Sequence, residues 1–392
     1  MAVRKICIAT GTRADWGLLS PIARSLAARP DVEVAIVATN MHVDPRYGAT
    51  AAEIVADGFE IAESFAITEG LPDSPQGRAI ATARATSGMA NVLAKLTPDL
   101  LVVLGDRFEM LGIATAAALM RVPIAHIAGG EISEGAVDDS IRHAITKLSS
   151  LHLTATEPYR QRVIRMGENP DLVINTGAIG VDSIVERRNP LSYDELVASL
   201  DGFELPHGSL MVTYHPATLS DISPADGCRE MLEALDRFPD RPTIITYPNN
   251  DAGSTDIIRL IESYAATRRE RVKVVASLGR RRYHAALERV AAVIGNSSSG
   301  IVEVPSFHIP TVDIGSRQRG RTAGESVIHC GESAAEIAGA IRFALSPQGQ
   351  ERARKAANPY YKPDTLAIIT EAIATTPLDK LRTKRFYDGP DR

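Results

Sequence analysis

Residues 100–107 read LLVVLGDR, an apolar run that ends on a glycine followed by two charged side chains. A short apolar run that is bounded by a turn is typical of a strand buried on both faces of a sheet. The same arrangement occurs in residues 6–15, ICIATGTRAD, and in residues 123–131, PIAHIAGGE. Parallel sheets covered by helices on both faces produce this pattern, so the sequence predicts an α/β fold.

Similar short runs alternate with amphipathic segments along most of the chain. The predicted strands are Ile6–Ala9, Val34–Ala38, Leu100–Leu104, Pro123–Ile127, Leu210–Tyr214, Thr243–Tyr247, Val272–Val275, Ala292–Ile294 and Thr311–Ile314. The alternation pauses before residue 207, and a chain of 392 residues suits two domains. We predict one domain over residues 1–185, a second over residues 186–360, and a C-terminal helix within residues 361–392 that packs back on the first domain.

The composition excludes several classes of protein. Hydrophobic residues make up 44% of the chain and charged residues 23%, which is the balance of a globular protein. The net charge of -5 argues against a nucleic-acid partner, and the longest apolar run, Met110–Met120, is too short to span a membrane. Three scattered cysteines predict neither a disulfide framework nor a metal cage. No export signal is found, so the cytoplasm is the expected location.

One loop contains an unusual number of acidic residues. Residues 129–143 read GGEISEGAVDDSIRH and include Glu131, Glu134, Asp138 and Asp139. Neighbouring carboxylates push one another's pKa values apart, which lets one site hold an acid and a base at the same pH. The structural alternative is that Asp138 or Asp139 caps the helix that follows.

The second half contains a candidate anion site. Residues 295–300, GNSSSG, open a segment predicted to be helical through Val304. Small residues let backbone amides approach a phosphate, and a helix N-terminus adds partial positive charge. Residues 315–325 add Arg317, Arg319 and Arg321, whose guanidinium groups can bind phosphate oxygens. The alternatives are a serine-rich cap that binds nothing and arginines that only face solvent, above all Arg319.

Other nucleotide and metal motifs are absent from the sequence. It has neither GxxxxGK[ST] nor GxGxxG, which argues against a P-loop kinase and a dinucleotide oxidoreductase. No pair of acids or histidines has the spacing of a divalent metal site. We therefore predict a site with no metal and no cofactor, in which arginines and amides stabilise an anion. His215 follows a predicted strand and is either a further member of that site or a structural histidine.

Seven motifs occur in order along nearly the whole chain. They are GTRADWGLL from Gly11, LGDRFEML from Leu104, GGE from Gly129, DDSIRHAITK from Asp138, HPAT from His215, GNSSSGIVEVPS from Gly295 and SRQRGR from Ser316. In these motifs the chain resembles the hydrolysing UDP-N-acetylglucosamine 2-epimerases of bacterial sialic-acid or legionaminic-acid biosynthesis. The resemblance implies a GT-B fold, with two Rossmann-like, doubly wound parallel-sheet domains and an active-site cleft between them.

The resemblance also assigns roles to residues. The catalytic positions of the family match Asp106, Glu131, Asp138, Asp139 and His215, and its nucleotide contacts match Arg13, Asn249, Ser297, Ser298, Glu303 and Arg317. Further binding candidates in or near these motifs are Asp15, His42, Arg107, Arg142, Ser299 and Arg321. Animal members and non-hydrolysing relatives have a lysine in the first loop where this chain has Leu18, so the contact that the lysine makes is missing here.

The implied reaction converts UDP-N-acetylglucosamine and water to N-acetylmannosamine and UDP through a glycal. Inversion at C2 needs acid/base groups on both faces of the ring, which explains carboxylates from separate strand ends. The alternatives are a hydrolysing 2-epimerase for a UDP- or GDP-linked 2,4-diacetamido-6-deoxy sugar, a GT-B glycosyltransferase and an inactive nucleotide-sugar-binding protein. A UDP-sugar is the expected ligand, and a homodimer or homotetramer the expected assembly.

Overall fold

The structure, a computed structural model, describes residues 3–72, 74–134, 137–185, 191–217, 222–248 and 253–389, apart from the side chains of Tyr47 and Ser183. The chain divides into two units. The first unit comprises Met1–Glu131, Val137–Asp182 and Lys362–Arg392, and the second comprises Ile132–Ala136 and Ser183–Tyr361. The chain therefore returns to the first unit after it has completed the second.

The first unit is built on one parallel sheet. Its strands are β1 (Arg4–Thr10), β2 (Val32–Thr39), β3 (Ile61–Phe65), β4 (Leu100–Leu104), β5 (Ile124–Ile127), β6 (Leu151–Thr154) and β7 (Val173–Asn175). They lie in the order β3-β2-β1-β4-β5-β6-β7, and all neighbours are parallel. Its helices are α1 (Arg13–Ala27), α2 (Ala51–Ala56), α3 (Pro75–Leu96), α4 (Phe108–Leu119), α5 (Asp138–Leu148) and α6 (Glu157–Arg165), with 3-10 turns at Asn40–His42, Pro45–Tyr47 and Pro170–Leu172.

The second unit repeats this plan. Its strands are β8 (Ser209–Thr213), β9 (Thr243–Thr246), β10 (Val272–Val275), β11 (Val290–Gly295), β12 (Thr311–Ile314) and β13 (Val327–Cys330), in the parallel order β10-β9-β8-β11-β12-β13. After the boundary helix α7 (Val181–Val185), its helices are α8 (Tyr193–Ser199), α9 (Pro224–Leu235), α10 (Ser254–Ala266), α11 (Gly279–Leu287), α12 (Ser298–Val302), α13 (Ala334–Leu345) and α14 (Pro347–Lys355), with a 3-10 turn at Val304–Phe307.

The central strand β4 shows how the apolar cores form. Successive side chains of a strand point to opposite faces of the sheet. Leu100, Val102 and Leu104 accordingly join the core beneath α1, whereas Leu101 and Val103 join the core beneath α3 and α4. Burial on both faces is the reason that this strand is a continuous apolar run. Within the described residues, no helix combines the length and the apolar content needed to cross a membrane.

The last helices of the chain belong to the first unit. They are α15 (Thr365–Thr375) and α16 (Leu378–Arg382). α15 packs against α1, and its side chains Ile369 and Ile373 are fully buried in the core beneath that helix. The first unit therefore completes its apolar core with residues from the end of the chain.

Both sheets reverse their winding direction between two central strands. In the first unit this happens between β1 and β4, and in the second between β8 and β11. The connections on either side of such a switch point diverge, which leaves a crevice beyond the carboxyl ends of the strands where ligands bind. The segments that follow these four strands contain Arg13, Asp106, His215 and Ser297, so the fold places predicted site residues at both switch points.

Candidate functional site

Three predicted acidic residues of the first unit contact one buried arginine. Arg142, on α5, has a side chain that is only 2% exposed. Its Nη2 donates to the carboxylate of Asp106, which follows β4. Its Nη1 donates to the backbone carbonyl of Glu131 at 2.9 Å and lies 3.5 Å from Oδ1 of Asp139. Arg142 therefore ties together the segments that follow β4 and β5 and the first turn of its own helix.

Two of the carboxylates at this arginine remain accessible. The side chains of Asp106 and Asp139 are 26% and 27% exposed, whereas Glu131 is buried. Asp139 also lies 3.5 Å from Nε2 of His143, and burial lowers the pKa of that imidazole below its usual value. The cluster thus presents two carboxylates that share one cation, an arrangement suited to moving protons at a bound ligand.

The acidic pair at the start of α5 does not cap the helix. The N-cap residue is Val137, and it makes no side-chain capping hydrogen bond. Asp138 and Asp139 lie in the first turn instead, where the helix dipole favours negative charge. The prediction that one of them is the cap is therefore wrong, because the helix begins one residue earlier than a capping aspartate requires.

A buried histidine supports the turn that carries Asp106. Nε2 of His126, on β5, lies 2.7 Å from the carbonyl oxygen of Gly105, and its Nδ1 lies 3.2 Å from Oγ1 of Thr146. Burial lowers the pKa of His126 to about 3, so the imidazole is neutral at pH 7. Because a carbonyl oxygen only accepts, Nε2 is the protonated nitrogen and Nδ1 accepts from the threonine. This bridge holds Gly105 and hence Asp106 against the sheet.

Sequence analysis missed Glu109, a fully buried carboxylate in the first turn of α4. Its Oε1 accepts from Nε of Arg107 at 2.6 Å and from Nδ2 of Asn40 at 2.9 Å. Gly11 lies so close that a Cβ atom there would be 2.5 Å from the same oxygen. One carboxylate thus holds the segments after β1, β2 and β4, which are neighbours in the sheet. The signal in the sequence is that Glu109 is the only charged residue of an otherwise apolar helix.

Asp15 and Arg107, two predicted binding residues, interact electrostatically with Glu109 and with each other. Burial raises the pKa of Asp15 to about 6, although the nearby positive charge of Arg107 opposes the shift. Glu109 and, less strongly, Asp15 raise the pKa of Arg107 above its usual value. Oδ2 of Asp15 and Oε2 of Glu109 are buried and have no hydrogen-bond partner among the described residues. The two predicted binding residues, which come from α1 and from the segment after β4, therefore form one electrostatic cluster with Glu109.

His42 and Arg13 have contrasting environments. His42 is fully buried, with Nε2 3.0 Å from Oγ1 of Thr10 and Nδ1 2.9 Å from Oγ1 of Thr50, and burial lowers its pKa. Arg13 is exposed, and its Nε pairs with Glu53 at 3.0 Å. Arg13 is thus accessible to a ligand, whereas His42 is held as a neutral imidazole between two hydroxyl groups.

In the second unit, reciprocal hydrogen bonds join the segments that follow β8 and β11. The backbone N–H of His215 donates to Oδ1 of Asn296 at 2.7 Å, and Nδ2 of Asn296 donates back to the His215 carbonyl at 2.9 Å. The Asn296 carbonyl accepts from Arg317 at 3.1 Å and from Gln318 at 2.8 Å. Burial, with a smaller contribution from Arg317, lowers the pKa of His215 to about 3. A neutral imidazole and a guanidinium therefore flank the start of residues 295–300, which we call the serine loop.

The helix after the serines is shorter than predicted. α12 ends at Val302, and the chain continues as a 3-10 turn over Val304–Phe307. Pro305 has no N–H group and disfavours the helical conformation in the residue before it. The prediction of a helix that continues through Val304 is therefore wrong.

The serine hydroxyl groups are not used to cap α12. Ser297 is the N-cap residue but makes no side-chain capping bond, and its Oγ lies 3.1 Å from Oγ of Ser299. Ser298 is the first residue of the helix. Glu303 follows the end of the helix, and its Oε2 lies 3.4 Å from Nε2 of His284. Ser297 therefore occupies the N-cap position but does not make the side-chain hydrogen bond of a serine cap.

The three arginines after β12 differ in exposure. Arg317 and Arg321 are partly buried, and Nη2 of Arg321 donates to Oγ of Ser133 at 3.3 Å, whereas Arg319 is exposed. Asn249, a predicted nucleotide contact, lies outside the described residues. Across the part of the chain that the structure describes, no group of three or more His, Cys, Asp or Glu side chains is arranged to hold a metal ion.

Residues 24–374 match the family model for UDP-N-acetylglucosamine 2-epimerase. The chain belongs to this family. As a member of it, the protein is an enzyme.

Known relatives support this membership, and a solved structure supports the fold. The GDP/UDP-N,N'-diacetylbacillosamine 2-epimerase (hydrolyzing) of Campylobacter jejuni is 34% identical over 333 residues, which cover 84% of this chain and 84% of the relative. Polysialic acid biosynthesis protein P7 of Escherichia coli is 32% identical over 398 residues, an alignment that covers 99% of this chain and 98% of the relative. The UDP-GlcNAc 2-epimerase of Neisseria meningitidis, solved with UDP-GlcNAc bound, superposes with a TM-score of 0.81 at 17% identity over 94% of this chain and 99% of that chain. The predicted GT-B fold is confirmed.

Proposed function

We propose that the protein is a hydrolysing 2-epimerase that converts UDP-N-acetylglucosamine and water to N-acetylmannosamine and UDP. The observation that carries the proposal is the pair of accessible carboxylates, Asp106 and Asp139, that share the buried Arg142 beside Glu131. A family of nucleotide-sugar epimerases needs such carboxylates for proton transfer at carbon.

The first step is an elimination. The C1–O bond to the diphosphate breaks, and UDP leaves with the bonding electron pair. The positive charge that develops at C1 acidifies the C2 proton, which a carboxylate removes to leave the double bond of the glycal. Arg317 stabilises the departing diphosphate by its charge, and the neutral His215 beside it can donate one hydrogen bond.

The second step adds water to the glycal. The water oxygen bonds to C1 and gives up one proton to a carboxylate acting as a base, while a protonated acid gives C2 a proton on the face opposite to the one it lost. Separate groups must act on the two faces, so one carboxylate is not enough. Asp106, Glu131 and Asp139 come from three different segments around Arg142. We assign Arg142 to holding these acids rather than to binding the substrate, because its guanidinium is almost fully buried.

A second candidate substrate is N,N'-diacetylbacillosamine linked to UDP or GDP. The Campylobacter jejuni relative bears the name of this substrate. The same acids and the same serine loop would serve either sugar, since the chemistry occurs at C1 and C2. The two candidates differ at C4 and C6 of the ring, and the nucleotide can differ in its base.

Incubation of the protein in D₂O with each nucleotide sugar tests the proposal. We expect release of free sugar and UDP from UDP-N-acetylglucosamine, with one deuterium at C2 of the product, measured by NMR. A glycosyltransferase would require an acceptor, and an inactive binding protein would produce neither sugar nor deuterium. Release from the diacetylated substrate alone would replace the proposed sugar, and release from none would overturn the proposed activity.

Substitution of the acids tests their assignment. We expect Asp106→Asn and Glu131→Gln to lower turnover by about 100-fold or more, because each removes an acid/base group. Glu134→Gln is the matched control, since Glu134 is an exposed acid of the same loop. Turnover within about threefold of the parent in Glu131→Gln, far less than the loss of an acid/base group causes, would show that this residue does not transfer the proton.

A further inference from the structure

A tyrosine of the second unit is joined to the serine loop, although no motif assigns it a role. The hydroxyl of Tyr283, on α11, donates to Oγ of Ser299 at 2.9 Å. Oγ of Ser299 lies 3.1 Å from Oγ of Ser297. The three hydroxyl groups thus form a continuous hydrogen-bonded chain that runs from Tyr283 on α11, through Ser299, to Ser297.

The hydrogen bonds of this hydroxyl chain all donate in one direction, from Tyr283 towards Ser297. Burial raises the pKa of Tyr283, so its hydroxyl stays protonated and donates. Ser299 accepts that bond and keeps its own hydrogen for Ser297. Ser297 accepts that hydrogen, so its own hydroxyl hydrogen can be donated to a further acceptor. Hydrogen bonds in a chain polarise one another, so the last hydroxyl is a stronger donor than an isolated serine.

The surroundings of Ser297 favour an anion as the acceptor. Arg317 donates to the carbonyl of Asn296, the residue before Ser297, and so places positive charge at the same loop. A phosphate oxygen accepts hydrogen bonds and donates none at neutral pH. A hydroxyl chain that ends in a donor beside a guanidinium is therefore complementary to a diphosphate.

We propose that Tyr283 is a positioning residue for nucleotide binding, which orients Ser299 and Ser297 so that Ser297 donates its hydrogen to a diphosphate oxygen. This inference rests on the proposed function, because the diphosphate is that of the nucleotide sugar. Tyr283 does not touch the ligand in this arrangement. It acts through the two serines, and its contribution is confined to ligands that carry phosphate.

The first test compares ligands with and without phosphate. We expect Tyr283→Phe to weaken UDP binding about three- to tenfold in calorimetry, the equivalent of one hydrogen bond, and to leave uridine binding unchanged in saturation-transfer NMR. Tyr264→Phe is the matched control, because it removes a hydroxyl of the same unit that bonds to Asp236 at 2.9 Å. It should leave the UDP affinity unchanged.

The second test is a double-mutant cycle. Ser297→Ala removes the terminal donor, so Tyr283→Phe should have no further effect in that background. Ser299→Ala interrupts the chain without altering the tyrosine and should weaken UDP binding as Tyr283→Phe does.

Three outcomes would overturn the inference alone: an unchanged UDP affinity in Tyr283→Phe, an equal loss of uridine binding, or effects that simply add in the cycle. A parent protein that does not bind UDP would overturn the proposed function as well.

Discussion

At the scale of single residues, buried charges hold the candidate site of the first unit together. A buried ion is costly unless several partners compensate it, and removal of one partner leaves the other uncompensated. Arg142 meets this requirement with Asp106, Asp139 and the Glu131 carbonyl, and Glu109 meets it at Oε1, where Arg107 and Asn40 donate. The residues that shape the site are therefore not only those that can touch a ligand.

Buried titratable groups predict how stability depends on pH. The pKa values of His126 and His215 are about 3 in the folded protein, against the ordinary value of 6.5 for a histidine in water. Between these values the unfolded chain binds more protons, so the free energy of unfolding falls as the pH falls from 6.5. Asp15 acts in the opposite sense, because its folded pKa of about 6 exceeds the ordinary aspartate value of 3.8. We expect lower stability at pH 5 than at pH 7, and a steeper decline in Asp15→Asn.

Urea unfolding at several pH values measures this dependence. Asp240→Asn is the control, since it removes an exposed aspartate and should leave the slope unchanged. A parent protein whose stability is constant or rises between pH 7 and pH 5 would contradict the expectation. So would an Asp15→Asn variant with the same slope as the parent.

At the scale of secondary-structure elements, the ends of strands rather than their interiors carry the candidate residues. Gly295, the last residue of β11, pairs with Thr213 at the end of β8. Its φ is +136°, and a Cβ atom there would lie 1.9 Å from the Thr213 carbonyl oxygen. This close approach leads directly into the bonded pair of Asn296 and His215. The geometry of the strand ends thus determines where the serine loop begins.

Gly295→Ala tests this dependence. We expect it to lower the free energy of unfolding by about 2–5 kcal/mol, through the positive φ and the contact with backbone together. Gly202→Ala is the matched control: φ at Gly202 is +82°, but no atom lies within 4 Å of an added Cβ. It should cost only about 1–2 kcal/mol. Equal losses in the two variants, measured by urea unfolding, would show that the close approach is not constraining.

At the scale of the whole molecule, the order of the chain differs from the order of the units. Residues after 361 return to the first unit, where Ile369 and Ile373 of α15 fill the core beneath α1. The stability of the first unit therefore depends on residues that follow the second unit in the chain.

Ile373→Ala tests the dependence on α15. We expect a loss of about 2–5 kcal/mol in the free energy of unfolding, because the side chain is fully buried. Hydrogen exchange should increase in β1 and α1, whereas β8 and β11 should keep their protection. Glu371→Ala, an exposed position of the same helix, should change stability little. Increased exchange centred on β8 and β11 would contradict the assignment of α15 to the first unit.

Sequence analysis predicted most of the central strands and the edge strand β10, and missed the other edge strands. All nine predicted strands lie within two residues of the observed bounds. It missed β3, β6, β7 and β13, of which β3, β7 and β13 are edges of their sheets. Edge strands are short and partly exposed, so their sequences lack the continuous apolar run that marks a buried strand. His152 in the middle of β6 obscured that strand in the same way.

The sequence by itself determined the two parallel-sheet units and the chemistry available at their strand ends, because apolar runs, turns and family motifs are local features of the chain. Only the tertiary structure decided that Arg142 holds Asp106, that Glu109 joins three strand ends and that Tyr283 bonds to the serine loop. Arg142 and Asp106 are 36 residues apart, and Glu109 and Asn40 are 69 apart. Such contacts depend on which strands become neighbours and on how closely their ends approach, and no local pattern in the chain encodes either.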